Sequence, residues 1–88
     1  MAGSLSVNVV SATESVYTGE AKTVVARTTE GELGVLPGHQ PLLATLGSGE
    51  VRITLLNGEK IVADARDGFI SVENDTVTIV AGHATLVA

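Results

Sequence analysis

The sequence predicts an all-β fold, a small antiparallel β-sandwich of about ten short strands in two sheets. Three observations carry that prediction. Apolar and polar residues alternate at a period of two, as in Leu5, Val7 and Val9 against Ser6 and Asn8. Turn-forming pairs recur about every eight to twelve residues, the rhythm of a sandwich or barrel. Tyr17 and Phe69 are the only aromatics, so the core must be built from Val, Ile, Leu and Ala, and the β-branched members favour strands.

Taken in order, Leu5 to Val9 is the first half-buried strand, and Tyr17-Thr18-Gly19-Glu20 reads as a turn. A short β-rich stretch follows from Ala21 to Arg27. Gly47-Ser48-Gly49 reads as a break before Val51, Ile53 and Leu55 alternate with Arg52 and Thr54. Asn57-Gly58 is the strongest local signal, predicting a two-residue type I′ turn between strands 51–56 and 59–66. Asp67-Gly68 and Asn74-Asp75 are further turn pairs that bracket Phe69–Glu73 and introduce Thr76–Ala81. Val24-Val25-Ala26 and Ile61-Val62-Ala63 are apolar on both faces, as central strands or strands beside a second protein would be.

Eighty-eight residues make a single domain, 1–88, that buries roughly 60–65% of its extended surface. With 44% apolar and 17% charged residues the chain is not compositionally disordered. Ten carboxylates against five basic residues argue against nucleic acid as a partner, because phosphate contacts need clustered Lys and Arg. No apolar run approaches the ~20 residues of a membrane span. The absence of cysteine excludes disulfides and thiol chemistry.

One segment departs from the alternation. Glu30 to Leu43 holds three glycines (Gly31, Gly34, Gly38), two prolines (Pro37, Pro41), two carboxylates and His39. Glycine supplies backbone angles other residues resist, and proline fixes φ. Gly31, Gly34, Gly38 and Pro41 are therefore expected to shape a loop whose charged groups can be presented to a partner.

No chemistry follows from these groups. His39 and His83 have no metal-ligand spacing with each other or with carboxylates, so no metal is expected. None of the serines lies in a G-x-S-x-G elbow, and the glycines form no phosphate-binding pattern. Glu30 and Glu32 resemble an acid–base pair in spacing, but the sugar-stacking aromatics of a glycosidase cleft are lacking. No catalytic residue, no cofactor and no small-molecule substrate are expected. A lipoyl- or biotinyl-type carrier domain modified on Lys60 is the alternative reading, although Lys60 lies past the Asn57-Gly58 turn and lacks a D-K-A or M-K-M context.

The run Glu30-Gly31-Glu32-Leu33-Gly34-Val35-Leu36-Pro37-Gly38-His39-Gln40-Pro41-Leu42-Leu43 resembles, without a gap, a signature of the F-type ATP synthase epsilon subunits. Val7–Ser11, Tyr17–Ala21, Asp67–Val72 and Val77–Ala81 resemble other segments of that family, so the likeness covers essentially the whole chain. Asp67 stands where many relatives have glycine, and Gly82-His83 where relatives usually carry Ala, Glu or Asp. The resemblance implies a non-catalytic rotor component of the central stalk, joining the gamma subunit to the c-ring and coupling proton translocation to ATP synthesis. It implies a location at the cytoplasmic face of the bacterial cell membrane, reached only through the complex. It also implies a rotor interface with gamma and the c-ring in which Glu32 meets the polar loops of c subunits, His39, directed by Pro37 and Gly38, lies near the junction with gamma, and Val35 and Leu36 supply apolar contact beside them. The C-terminal helical hairpin of many members has no counterpart in these residues, so its inhibitory role is not expected of them.

Overall fold

The computed structural model describes residues 3–12, 15–38 and 40–87. Among them are six strands: β1 Leu5–Val10, β2 Ser15–Thr28, β3 Gly31–Val35, β4 Leu42–Leu55, β5 Lys60–Glu73 and β6 Thr76–Leu86. The all-β prediction holds, but the ten short strands are replaced by fewer, longer ones. Strands β2, β4 and β5 each run for 14 residues. They do so because three predicted interruptions are not turns.

Tyr17-Thr18-Gly19-Glu20 lies inside β2, paired with β1 through Val9↔Tyr17 and Val7↔Gly19. Its glycine serves packing: a Cβ there would sit 2.5 Å from the Tyr17 hydroxyl oxygen. Gly47-Ser48-Gly49 and Asp67-Gly68 lie inside β4 and β5. The β4–β5 ladder is continuous in register from Thr45↔Phe69 to Gly49↔Ala65 on either side of them. These segments form a crease at which β4, β5 and β6 fold over from one layer of the sandwich to the other.

The crease depends on close backbone approach. A Cβ on Gly68 would overlap the Val80 carbonyl oxygen and lie 2.6 Å from Ala81 Cα. Asp67 takes a left-handed φ of 61°, which Asp tolerates better than most residues. Opposite it, Gly82 leaves room: a Cβ there would meet Asp67 Cβ and its carbonyl oxygen at 3.3 Å. The unusual Asp67 and Gly82 thus face each other across β5 and β6.

Pairing closes the sheet on itself. The strand order is β1-β6-β5-β4-β2-β3, with β1 also paired to β2. The resulting ring β1-β6-β5-β4-β2 returns to β1, flattened into two layers, and β3 is attached outside it to β2. The β1–β6 pairing is parallel and the others are antiparallel, a departure from the wholly antiparallel expectation. One layer holds β1, the first halves of β2, β4 and β6, and the second half of β5. The other holds β3 and the remaining halves.

The core lies between them and is aliphatic, as composition requires. Leu5, Val7, Val9, Val24, Val35, Val51, Ile53, Ile70, Val72, Val77 and Ile79 are fully buried. Val25 and Val62, whose strands read as apolar on both faces, point outward on either side of Arg52, to which both are paired.

The turn expected at Asn57-Gly58 takes another form. The connection between β4 and β5 spans the four residues 56–59, in which Gly58 has φ 92° and Gly58 N–H donates to the Leu55 carbonyl at 3.0 Å. Asn57 is absent from the left-handed region, so this is not a type I′ turn. Asn74 and Asp75 both occupy it, at φ 51° and 58°, and form the tight turn between β5 and β6. Asn and Asp are the residues besides Gly that tolerate both central positions of such a turn.

Replacing Gly68 by Ala tests the crease. The added methyl has no space, and overpacking costs about 1–3 kcal/mol or more. Thermal unfolding of Gly68→Ala is expected to fall by roughly 10–20 °C, given ~4–8 °C per kcal/mol in a domain of this size. Gly82→Ala, whose methyl would press on Asp67 at 3.3 Å without overlapping it, is expected to fall less.

Candidate functional site

The Glu30–Leu43 segment is not a single loop. Thr29 and Glu30 form the turn after β2, Gly31–Val35 is strand β3, and the connection to β4 spans residues 36–41. β3 separates the acidic start from the Pro-Gly end by about 15 Å, at ~3.3 Å per residue. The two groups of predicted residues therefore sit toward opposite ends of the sandwich.

At the acidic end, buried Thr28 fixes the turn. Its hydroxyl donates to the Gly31 carbonyl at 2.8 Å and accepts from the Glu30 N–H at 3.1 Å. Thr29 N–H donates to the Thr45 carbonyl at 3.0 Å, tying the turn to the crease. Gly31 begins β3 with φ 121°, a backbone angle that favours glycine.

Glu32 projects from the outer face of β3, opposite Arg27 on β2. Its Oε2 accepts a 2.6 Å bond from Arg52 Nη2 and lies 3.9 Å from Arg27 Nη2. All three side chains are half-exposed. Exposed pairs contribute about 0–1 kcal/mol, so their main effect is to orient the carboxylate. Beyond them the outer face carries Glu50 directly opposite Asp64, two carboxylates on adjacent strands. Among the described residues no group of three His, Cys, Asp or Glu is arranged to hold a metal.

At the Pro-Gly end, Val35 is buried beneath the sheet rather than displayed, because it alternates inward opposite Val24. It is core, and its assignment as a contact residue is corrected. Leu36 is exposed and Pro37 partly so. Gly38 has φ 88°, and its N–H donates 2.7 Å to Asp75 Oδ1. Asp75 also offers its backbone carbonyl to Ser6 N–H at 2.8 Å. One residue thus pins the 36–41 connection, the β5–β6 turn and the start of β1. Pro41 lies exposed just before β4. His39 lies outside the described residues.

Gly34 does not shape a loop. It pairs with Val25 within β3, has no left-handed φ, and a Cβ there would meet nothing within 4 Å. Arg27, Arg52 and Asp75 were missed as site residues. Arg52 reaches Glu32 from 20 positions away and Asp75 reaches Gly38 from 37, so no local pattern marks either.

A third surface emerges from the layer containing β1. Nearest the crease its outer face is an uncharged patch of Asn8, Val10, Leu43, Thr45, Phe69, Ser71, Thr78 and Val80, bordered by the row Glu20, Ser6, Thr76 and Glu73 with its two exposed carboxylates. The ladders align Val10, Val80 and Phe69 in one row. Phe69 is 42% exposed and Leu43 70%. Lys60 is exposed and sits opposite Thr54 within the ladder, one position past the turn, not at its tip.

The structure is thus a small β-sandwich that displays a backbone-shaped connection, an oriented carboxylate and an uncharged patch. Its sequence matches the model of the ATP synthase delta/epsilon chain β-sandwich domain over residues 4–87. The chain belongs to that family. It is 48% identical over 82 residues to an ATP synthase epsilon chain of Micrococcus luteus, covering 93% of this chain and 90% of that one. Against an ATP synthase epsilon chain of Streptomyces griseus it is 49% identical over 86 residues, covering 98% and 69%.

Two solved structures share the fold. A chain of the Euglena gracilis mitochondrial ATP synthase OSCP/F1/c-ring assembly superposes with TM-score 0.91 at 24% identity, over 98% of this chain and 55% of that one. A chain of the Tetrahymena thermophila mitochondrial ATP synthase central stalk/c-ring does so with TM-score 0.73 at 17% identity, over 91% and 64%.

The two glycines separate shape from register. Gly38→Val forces a side chain into the left-handed region and is expected to cost about 1–2 kcal/mol. Gly34→Val, on an open strand face, is expected to stay within ~0.5 kcal/mol of the parent in denaturant unfolding. Asp75→Gly, which keeps the left-handed φ and removes the carboxylate, is expected to speed hydrogen exchange at the Gly38 amide severalfold while lowering global stability by about 1 kcal/mol.

Proposed function

We propose that this chain is a non-catalytic rotor subunit of a proton-translocating F-type ATP synthase. In that role it links the gamma subunit to the c-ring, at the cytoplasmic face of the bacterial cell membrane and held there through the complex. Family membership supports the assembly. The observation that carries the mechanical reading is the closed ring of strands, which makes one stiff body with separate contact surfaces. A body of this kind transmits torque between two neighbours only if each holds a different part of it.

The uncharged face around Phe69, Leu43, Val80 and Val10 suits the more permanent partner, gamma. Long-lived interfaces are richer in apolar area than transient ones, and exposed aromatics serve as anchors. Glu32, oriented by Arg52 and Arg27, suits the polar loops of c subunits. Leu36, Pro37 and Gly38, pinned by Asp75, lie at the other end of β3 and fit the junction between the two partners, together with His39.

Co-purification with gamma and c-ring tests the reading, followed by measurement of ATP hydrolysis and proton pumping with and without the chain. Removal is expected to leave hydrolysis running while pumping falls. Phe69→Asp is expected to weaken gamma binding by about 2 kcal/mol or more, beyond tenfold in Kd. Glu32→Ala is expected to weaken c-ring association by only about 1 kcal/mol or less, as for a half-exposed charge. Unchanged coupling after removal would contradict the proposal, and so would a lipoyl or biotinyl mass on Lys60.

A further inference from the structure

The Asn57-Gly58 turn is the one strong sequence signal that the rotor reading does not use. We infer that Asn57 is a site of non-enzymatic deamidation, held in check by Glu59. The chain has three asparagines, and only Asn57 precedes glycine. A following glycine presents a backbone nitrogen with no side chain to hinder it. Asn57, Gly58 and Glu59 are all exposed, so water reaches each atom involved.

The chemistry needs only water. Gly58 N loses its proton to solvent base and bonds to Asn57 Cγ. The Cγ–Nδ2 bond then breaks, and ammonia leaves carrying a proton from solvent. The resulting succinimide takes up one water. Opening at Cγ–N gives aspartate at 57. Opening at the former main-chain carbonyl gives isoaspartate, with the backbone rerouted through the side chain.

The folded turn opposes the first step at both reacting groups. Gly58 N–H is committed to the Leu55 carbonyl at 3.0 Å. The Asn57 amide is held over residue 59, its Oδ1 accepting the Glu59 N–H at 2.9 Å and its Nδ2 donating to Glu59 Oε1 at 3.2 Å. Attack requires the turn to open and the amide to swing back toward Gly58. The rate then follows the open population of the hairpin tip. The other asparagines are constrained differently: Asn8 lies within β1, and Asn74 precedes Asp75, whose carbonyl and carboxylate are engaged by Ser6 and Gly38.

Conversion changes the turn that had restrained it. It removes the amide donor and sets a carboxylate beside that of Glu59. The isoaspartyl form also displaces the Gly58 nitrogen from its bond to Leu55. The mark therefore loosens the end of the β4–β5 hairpin.

Incubating the folded chain at mildly alkaline pH, then mapping proteolytic peptides by mass spectrometry and isoaspartate labelling, tests this. Conversion is expected at Asn57 ahead of Asn8 and Asn74. Glu59→Ala, confirmed folded by circular dichroism, is expected to convert severalfold faster, and Glu59→Gln, which keeps an acceptor oxygen, close to the parent rate. Unfolding the parent chain in urea is expected to accelerate Asn57 at least as much. Should Glu59→Ala fail to fold, the folded and urea-unfolded parent rates decide. Equal rates in that comparison, an unchanged rate in folded Glu59→Ala, or earlier conversion of another asparagine would overturn the inference.

Discussion

The structure depends on how closely β5 and β6 approach at the crease. Gly68 lies against the Val80 carbonyl with no room for a methyl group, and Asp67 beside it turns left-handed opposite Gly82. This lets three long strands fold over and supply both layers. Their apolar positions then meet across one core, from Leu5 and Val9 to Ile53 and Ile70. Closure follows: β1 completes the ring by pairing to both β2 and β6, so every strand but β3 is held by at least two others. A closed sheet of this kind resists shear because sliding any strand breaks ladders on both sides.

That stiffness gives the surface features their meaning. The acidic and Pro-Gly ends of the 30–43 segment are held apart by β3, and each is fixed to a different part of the ring. Thr28 and Arg52 hold one end, and Asp75 holds the other. The uncharged face belongs to the layer in which β1 lies. Surfaces fixed on one rigid body keep their relative positions under load, which is the physical requirement for the coupling role proposed above.

The fold class was legible because its determinants are local. Alternation in Leu5–Val9 and Val77–Ala81, and the scarcity of aromatics, imply strands and an aliphatic core whatever the topology. Strand number was not legible, because glycine marks a turn and a crease with the same letter. Gly19 and Gly68 admit neighbouring atoms, whereas Gly38 and Gly58 supply angles, and sequence does not separate these uses. The parallel β1–β6 pairing depends on ring closure and has no local sign. At the candidate site, Glu32 and Gly38 were readable from the signature. Their partners Arg52 and Asp75 come from distant strands brought into register only by the finished sheet. Val35 was misplaced outward because a shaped loop was expected where an edge strand continues the alternation inward.

The central claim is that separate surfaces of one stiff sandwich hold separate partners. Hydrogen exchange on this chain, alone, with purified gamma, and with gamma plus c-ring, tests it most directly. The account predicts that gamma protects backbone amides around Val10, Phe69 and Val80, and that adding the c-ring extends protection to β3 and the 36–38 segment. Protection of β3 by gamma alone, with the Phe69 face still exchanging freely, would contradict it.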